Sequence, residues 1–175
     1  MKKKRTLTVV AMVLAVLMLG VGYAAITSVN LKIERGSASA TPDQGNFVVK
    51  FDKNTQVTTT GNGTITAAYD ASNELLATFS VAGLTAKGQT ASATYTIKNY
   101  SPDLIANLAV NNVAAVATGD TEYFTVTATL AKNSLEANAD TTLIVTVNLI
   151  KTPVDRDVSI TFPVTVTATA EQPTA

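Results

Sequence analysis

The sequence predicts an all-β protein: an antiparallel β-sandwich, jelly-roll-like or immunoglobulin-like, behind a cleavable N-terminal signal helix. Apolar and polar residues alternate with a period of two along most of the chain, which is the pattern of strands with one buried face. Turn-forming residues separate the alternating runs at regular intervals, as in all-β sandwiches. The 175 residues are 46% hydrophobic but only 6% aromatic and 15% charged, and the abundant Thr and Val are β-branched residues that suit a pleated surface.

The N-terminus has the parts of a secretory signal peptide. Residues 2–5 are basic, residues 7–21 are almost entirely apolar, and small residues flank a cleavage point between Ala24 and Ala25. The apolar run is shorter than the ~20 residues that a membrane-spanning helix needs, so an uncleaved anchor is the weaker alternative. We therefore expect residues 1–24 to be removed on export. We expect the mature protein to be secreted, and to be extracellular or at the cell surface. Before cleavage, the leader is its only expected contact with the membrane.

Eight or nine short strands are expected in the mature chain. Alternating runs lie at 29–33, 47–51, 65–69, 75–81, 94–98, 104–110, 124–128, 143–149 and 158–166. Turn signals lie at 62–63, 82–83, 87–88, 99–102, 118–120, 138–140 and 153–157. Residues 36–45 are small, polar and rich in Gly and Pro, which predicts a linker, and the Ala/Val-rich segment 111–119 predicts a short helix or a loop. The mature chain thus divides into a first strand with its linker, 25–45, and a sandwich domain, 46–175.

The composition excludes several classes of function. The chain has no His, no Cys and no Trp, so it has no imidazole base, no thiolate nucleophile, no Ser-His-Asp triad and no zinc site of the usual kind. Its 13 basic and 13 acidic residues balance, but residues 1–24 carry four of the basic ones, so the mature chain has a net charge of −4. Such a chain offers no basic surface for nucleic acid. We expect neither a nucleic-acid partner nor a cofactor.

Carboxylates are the remaining candidates for catalysis or metal binding. Asp155 with Asp157, and Asp120 with Glu122, have the i, i+2 spacing that puts both groups on one face of a strand, as an acid/base pair or a Ca²⁺ site requires. A calcium loop needs several more oxygen ligands than either pair supplies, so solvated turns are the favoured interpretation and a hydrolase the minor alternative. The pair Tyr123-Phe124 could stack on a sugar but is more typical of a core. We predict no catalytic residues, no metal site and no enzyme.

Two modifications are conceivable from the sequence. Lys87, Lys98 and Lys132 could form Lys–Asn isopeptide bonds, which need a Lys, an Asn and a carboxylate buried together. Asn62 and Asn99 begin glycosylation sequons, although Asn62-Gly63 reads more simply as a turn. Neither pattern is specific enough to decide the function.

The first mature strand, residues 25–35, carries an alternating apolar face formed by Val29, Leu31 and Ile33. Such a strand can complete the sheet of its own chain. It can also pair with the sheet of a neighbouring subunit, adding main-chain hydrogen bonds and filling side-chain pockets. A donor-strand arrangement of this kind is head-to-tail and grows into an open filament. The residues alone give the two possibilities similar weight.

Two stretches of the chain resemble a known family. The first is the leader ending in Gly22-Tyr23-Ala24-Ala25-Ile26, together with the short alternating strand and the Gly/Ser/Ala segment that follow. The second runs from Phe79 through Leu84 and Gly88 to Gln89, and continues in the alternating strand that ends at Asn99-Tyr100-Ser101. Both are similar to the TasA/camelysin family, which are exported fibre proteins of Firmicute biofilm matrices. The later strands match that family only in general character.

The resemblance implies a jelly-roll subunit, export through a SipW-type signal peptidase, and donor-strand polymerisation, with no catalytic residues. Camelysin-like members are associated with metalloprotease activity, which does not carry over because this chain has no His and no cluster of metal ligands. We therefore expect a secreted structural subunit of extracellular or biofilm-matrix fibres. Its main partner is a second copy of itself, and matrix or cell-surface components stay open as further partners. The alternative is a monomeric cell-surface binding or adhesion module.

Overall fold

The computed structural model describes residues 28–33 and 47–173. The predicted signal peptide with its cleavage residues Ala24 and Ala25, and the predicted linker 36–45, lie outside the described residues. In the described part of the chain, the prediction of an all-β, sandwich-like fold is confirmed. The strands are β1 (Ser28–Ile33), β2 (Val49–Phe51), β3 (Thr58–Gly61), β4 (Thr64–Tyr69), β5 (Leu76–Ala82), β6 (Thr90–Asn99), β7 (Ile105–Val110), β8 (Thr118–Gly119), β9 (Phe124–Leu130), β10 (Ser134–Leu135), β11 (Asp140–Leu149), β12 (Ile160–Thr161) and β13 (Val164–Glu171), with one helix, α1 (Val113–Val116), before β8.

Two sheets pack face to face. Sheet A has six strands in the order β10-β7-β13-β1-β5-β4. Sheet B has the order β2-β6-β11-β9, and β3 follows β2 along the same edge of β6. β8 and β12 form a separate two-stranded ribbon. Among the described strands every pairing is antiparallel except that of β1 with β5, which is parallel.

The core lies between the two sheets and follows from the alternation. In β6 and β11, the ten-residue strands at the centre of sheet B, every second residue is buried. The rings of Phe51, Tyr69 and Tyr95 pack together with centroids 5.7 to 6.0 Å apart. The Tyr95 hydroxyl donates a hydrogen bond to the carbonyl of Thr78 in β5 at 2.7 Å, so its one polar atom is satisfied inside the core. Burial of each large aliphatic side chain stabilises the fold by about 1.5–3 kcal/mol.

Two predictions about the strands are wrong in detail. The run 158–166 is not one strand, because β12 ends at Thr161 and Pro163, which has no N–H to donate, precedes the start of β13 at Val164. The expected number of strands is too low, because β3 is exposed at every residue and β8 and β10 have two residues each, so none of the three shows alternation. The segment 111–119 contains the predicted short helix, α1, which is one turn long.

Candidate assembly interface

The N-terminal strand β1 lies in the middle of sheet A, with β13 on one side and β5 on the other. It pairs with β13 over its whole length of six residues. The predicted donor residues stand opposite buried residues of β13, in the pairs Val29–Ala168, Leu31–Val166 and Ile33–Val164. Directly opposed residues share a face of a sheet, so this register places the three positions on the face that the alternation predicts. In the described chain, β1 is therefore inserted into its own sheet.

The pairing of β1 with β5 is much shorter. It consists of two parallel pairs, Lys32 with Leu76 and Ile33 with Ala77. β5 then continues for five more residues, Thr78–Ala82, whose strand partner in the described chain is β4. β13 and β5 do not pair with each other, so β1 is the element that joins β4 and β5 to the rest of sheet A.

A groove of about 860 Å³ begins where β1 ends. One wall is β5 from Phe79 onward, where no strand of the described residues pairs with it on this side, and another is the segment 153–162 that leads into β13. The Phe79 and Phe162 rings meet edge to face with their centroids 6.2 Å apart. Phe124 and Val147 of sheet B also line the groove, because sheet B extends past the level at which β1 and β13 stop.

The rim of this groove carries an unusual apolar residue. Val154 is 79% exposed, the most exposed large hydrophobic side chain of the described residues. It lies in the loop between β11 and β12, beside the charged residues Arg156 and Asp157. The lining of the groove is mixed, because Arg156, Asp157 and Ser159 lie among its apolar side chains.

The predicted carboxylate pair of Asp120 and Glu122 is held by an arginine. Arg156 Nη2 lies 2.5 Å from Asp120 Oδ1 and 4.0 Å from Glu122 Oε1. The backbone N–H of Ser159 donates to Asp120 Oδ2 at 2.8 Å. The hydrogen bond from Arg156, followed by that from Ser159, holds the pKa of Asp120 below its ordinary value. Asp120 thus ties the turn after β8 to the loop before β12.

The second pair, Asp155 and Asp157, lies on the same exposed loop on either side of Arg156. The carbonyl oxygen of Asp157 accepts a hydrogen bond from Arg156 Nη1 at 3.2 Å. Across the described ranges, no three His, Cys, Asp or Glu side chains come close enough to hold a metal ion. Asp120 and Glu122 therefore belong to a surface ion-pair network with Arg156, whereas Asp155 and Asp157 are exposed carboxylates on a loop.

Asn99 is fully buried at the end of β6, and its side chain forms hydrogen bonds with several backbone groups. Its Nδ2 donates to the carbonyl oxygens of Leu104, Leu135 and Glu136 at 2.8 to 3.1 Å. Its Oδ1 accepts from the backbone N–H of Ser101 at 3.0 Å. The amide of the predicted sequon is therefore enclosed in the folded domain. This role could not be predicted from the sequence, because an Asn in a sequon and a buried structural Asn have the same sequence pattern.

The other residues singled out for modification lie apart from one another. Lys87 and Lys132 are exposed, and the Lys98 Nζ lies 5.1 Å from the centre of the Tyr100 ring. Asn62 is exposed in the turn between β3 and β4, where its Oδ1 accepts from the N–H of Thr90 at 3.1 Å. These contacts give no buried Lys–Asn–carboxylate set among the described residues.

The pair Tyr123-Phe124 divides between surface and core. Phe124 is half-buried and packs against the core. The Tyr123 ring lies beneath two cations, with the Lys151 Nζ 4.5 Å and the Arg156 guanidinium carbon 5.9 Å from its centre. The Tyr123 ring is therefore already in contact with two cations, and the Phe124 ring with the core.

Comparisons with known proteins add no assignment. No protein-family model matches the chain, and neither a curated protein nor a solved structure matches it. Within the described residues, no helix has the length and apolar character needed to cross a membrane. The position of β1 and the groove at its end are therefore the features from which a function is inferred.

Proposed function

We propose that the protein is a secreted structural subunit that polymerises by donor-strand exchange into extracellular or biofilm-matrix fibres. The observation that carries this proposal is the position of β1, the first described strand, in the centre of sheet A. Its neighbours β5 and β13 both belong to the body of the domain, and its only covalent connection to that body runs through residues 34–46. A central strand that is attached in this way can come from another copy of the chain.

Exchange costs little because it replaces each contact with an identical one. The six pairs between β1 and β13, and the two between β1 and β5, form equally well whether β1 belongs to the same subunit or to its neighbour. If β1 left without replacement, the inner edges of β5 and β13 would lose their backbone partners, which is costly for buried N–H and C=O groups. The position between β5 and β13 is therefore always occupied, either by the chain's own β1 or by the β1 of a neighbouring subunit.

The connecting segment is long enough for exchange. Residues 34–46 number 13, and 13 residues span at most about 43–47 Å when extended. A compact domain of this size has a radius of gyration of about 15 Å, so the segment can place β1 in an adjacent subunit. Because donor and acceptor surfaces differ, repeated exchange grows a head-to-tail filament. In this proposal the partners are further copies of the chain, a SipW-type signal peptidase at export, and matrix or cell-surface components.

A cysteine pair tests the exchange directly, because the natural chain has no Cys. Asn30 in β1 and Thr167 in β13 are directly opposed, and opposed residues have Cα atoms about 4.5–5.5 Å apart, within the range that a disulfide bridges. The full chain carrying Asn30→Cys and Thr167→Cys is expressed and secreted, separated into monomer and polymer by size exclusion, and mildly oxidised. We expect the monomer to form an intramolecular bond and the polymer to give a covalent ladder on a non-reducing gel.

The matched control is Thr94→Cys with Ile144→Cys, an opposed pair between β6 and β11. Both residues belong to the body, so this pair gives only intramolecular bonds in monomer and polymer alike. Polymer without a ladder from the first pair would show that the subunits associate without exchanging β1. A protein that stays monomeric at high and low concentration, and forms no filaments by electron microscopy, would overturn the fibre and favour the monomeric binding module.

A further inference from the structure

We infer that the outer face of sheet B binds the same face of a second copy of the protein, and that this contact joins neighbouring fibres side by side. The joining of fibres rests on the proposed function, whereas the face itself belongs to every subunit. It consists of residues of β3, β6, β9 and β11 and is called the threonine face. Its members are Thr58, Thr60, Thr90, Ser92, Thr94, Thr125, Thr127, Thr129, Ile144, Thr146 and Asn148.

The register of the four strands arranges these residues in three rows across the sheet. The first row consists of Thr58, Thr94, Ile144 and Thr129. The second row consists of Thr60, Ser92, Thr146 and Thr127. The third row consists of Thr90, Asn148 and Thr125. Directly opposed residues share a face of a sheet, and the alternate residues of β6 and β11 are buried in the core, so all three rows lie on the side away from the core.

The threonine face has no charged residue, and nine of its eleven residues are β-branched. On the same side of the sheet, charges begin two rows beyond Thr94, where Lys98 stands between Lys50 and Asp140. Protein surfaces usually carry interspersed charges of both signs, and a depletion of charge is the compositional mark of the core of a protein interface. The composition of this face is therefore that of a contact surface.

The chemistry of the face is complementary to itself. A hydroxyl group both donates and accepts hydrogen bonds, so an array of threonines can bind an identical array, which an array of carboxylates or of amines cannot. On the face itself, Ser92 Oγ and Thr146 Oγ1 already lie 2.8 Å apart and form such a bond. Uncharged β-branched residues also pack closely where two sheets meet. The face has no aromatic ring on which a sugar could stack, so a second copy suits it better than a glycan.

The face is accessible but small. The exposed members are Thr58, Thr60, Thr125, Thr127, Thr129 and Ile144. Three rows of four strands cover about 400 Å² on each copy, since strands lie about 4.8 Å apart and alternate residues about 6.7 Å apart. A stable interface buries about 800 Å² on each partner, so one pair of faces associates weakly. Along two fibres many pairs form together, and their contributions combine into a stable lateral contact.

Added charge tests the lateral contact. Thr60→Lys with Thr127→Lys places a cation at each end of the middle row, on side chains that are exposed. The matched control is Thr66→Lys with Thr169→Lys, which adds the same charge at exposed positions on the outer side of sheet A. We expect electron micrographs to show paired fibres for the wild type and the control and single fibres for the first variant, because like charges then meet between the faces. Both variants should keep the wild-type urea midpoint as monomers.

The outcomes separate this inference from strand exchange. Single fibres in the wild type, or paired fibres in the Thr60→Lys, Thr127→Lys variant, overturn the threonine face and leave strand exchange standing. If the variant shows unchanged pairing but loses binding to washed matrix polysaccharide, the face binds a glycan and the inference is wrong. An absence of fibres from every protein overturns the proposed function, and the face is then decided by cross-linking.

Cross-linking detects the contact without fibres. The natural chain has no Cys, and Thr146 lies near the centre of the threonine face, where two copies related by a two-fold axis bring the same residue together. Since packed sheets lie about 10 Å apart, a short bismaleimide is used instead of a disulfide. We expect the monomer fraction of Thr146→Cys to give covalent dimers that increase with protein concentration, and that of Thr66→Cys to give few. Equal yields from the two variants would overturn the inference.

Discussion

The two sheets of this protein are built in different ways. In sheet B, β11 pairs with β6 over nine residue pairs and with β9 over seven. In sheet A, β1 comes from near the start of the chain, pairs with β13 near its end, and contacts β5 through two pairs. The long antiparallel pairing in sheet B opens only when the domain unfolds. A strand such as β1, which pairs with one of its neighbours over two residues only, can be replaced by an identical strand. Under the proposed function, sheet B maintains the fold and sheet A provides the exchanged strand.

The largest expected effect tests whether the centre of sheet B maintains the fold. Leu143 is fully buried in β11, and Leu143→Ala should lower the free energy of unfolding by about 2–5 kcal/mol, because it removes buried methyl groups and leaves a cavity. Urea denaturation measures the change. Ile144, the next residue, is 39% exposed on the other face, and Ile144→Ala should cost less than half as much. Equal losses for the two variants would contradict a one-sided core in sheet B.

A smaller effect is expected at the main polar connection between the sheets. Asn99 at the end of β6 donates to the carbonyls of Leu104, just before β7, of Leu135 in β10, and of Glu136, just after β10. Asn99→Ala removes the side-chain donor from the carbonyls of Leu104 and Leu135 and should destabilise the protein by about 1–3 kcal/mol, measured by urea denaturation. The control is Asn107→Ala, since Asn107 bonds to Glu171 at the surface, and its loss should fall within about 0.5 kcal/mol. A similar loss in both variants would show that Asn99 does not connect the sheets.

A further prediction concerns acid stability near the groove. The folded-state pKa of Asp120 is lowered chiefly by its hydrogen bond with Arg156, so this stabilisation is complete above the unfolded value of about 3.9. It is lost as the pH falls through the lower folded-state value, because the unfolded chain binds the proton first. We expect the urea midpoint of the wild type to fall more steeply below pH 4 than that of Asp120→Asn. Arg156→Gln should flatten the curve in the same way, and a wild-type slope in both variants would contradict the assignment.

The smallest effect is expected from the exposed connection between the sheets. Lys50 of β2 forms an ion pair with Glu74, just before β5, at 2.6 Å, with side chains 26% and 49% exposed. Exposed pairs contribute about 0–1 kcal/mol and are screened by salt. Glu74→Ala should therefore lower the free energy of unfolding by less than about 1 kcal/mol in dilute buffer, and the difference from the wild type should vanish at high salt. A larger loss that persists in salt would make this pair a structural connection like Asn99.

Local pattern predicted most of the fold but little of the candidate interface. The runs around Tyr95 and Leu143 became the central strands because each side chain's burial depends on its own position in a pleated strand. β3 escaped notice because its Thr residues are exposed, and Pro163 divided a run that hydrophobicity alone presents as continuous. The groove could not be predicted, because Phe79, Phe124 and Phe162 lie far apart in the sequence and meet only through the stagger of sheet A.

The sequence by itself determined the all-β class, the faces of the main strands, and the lack of imidazole and thiol chemistry, because each of these depends on residue identity or on a period of two along the chain. It also singled out Val29, Leu31 and Ile33 as one face of a first strand. Only the tertiary structure decided that this strand lies between β5 and β13, that it pairs in parallel with β5, and that a groove follows it. Pairing partners and stagger depend on which distant segments bury their apolar faces together, and alternation is the same for every possible partner.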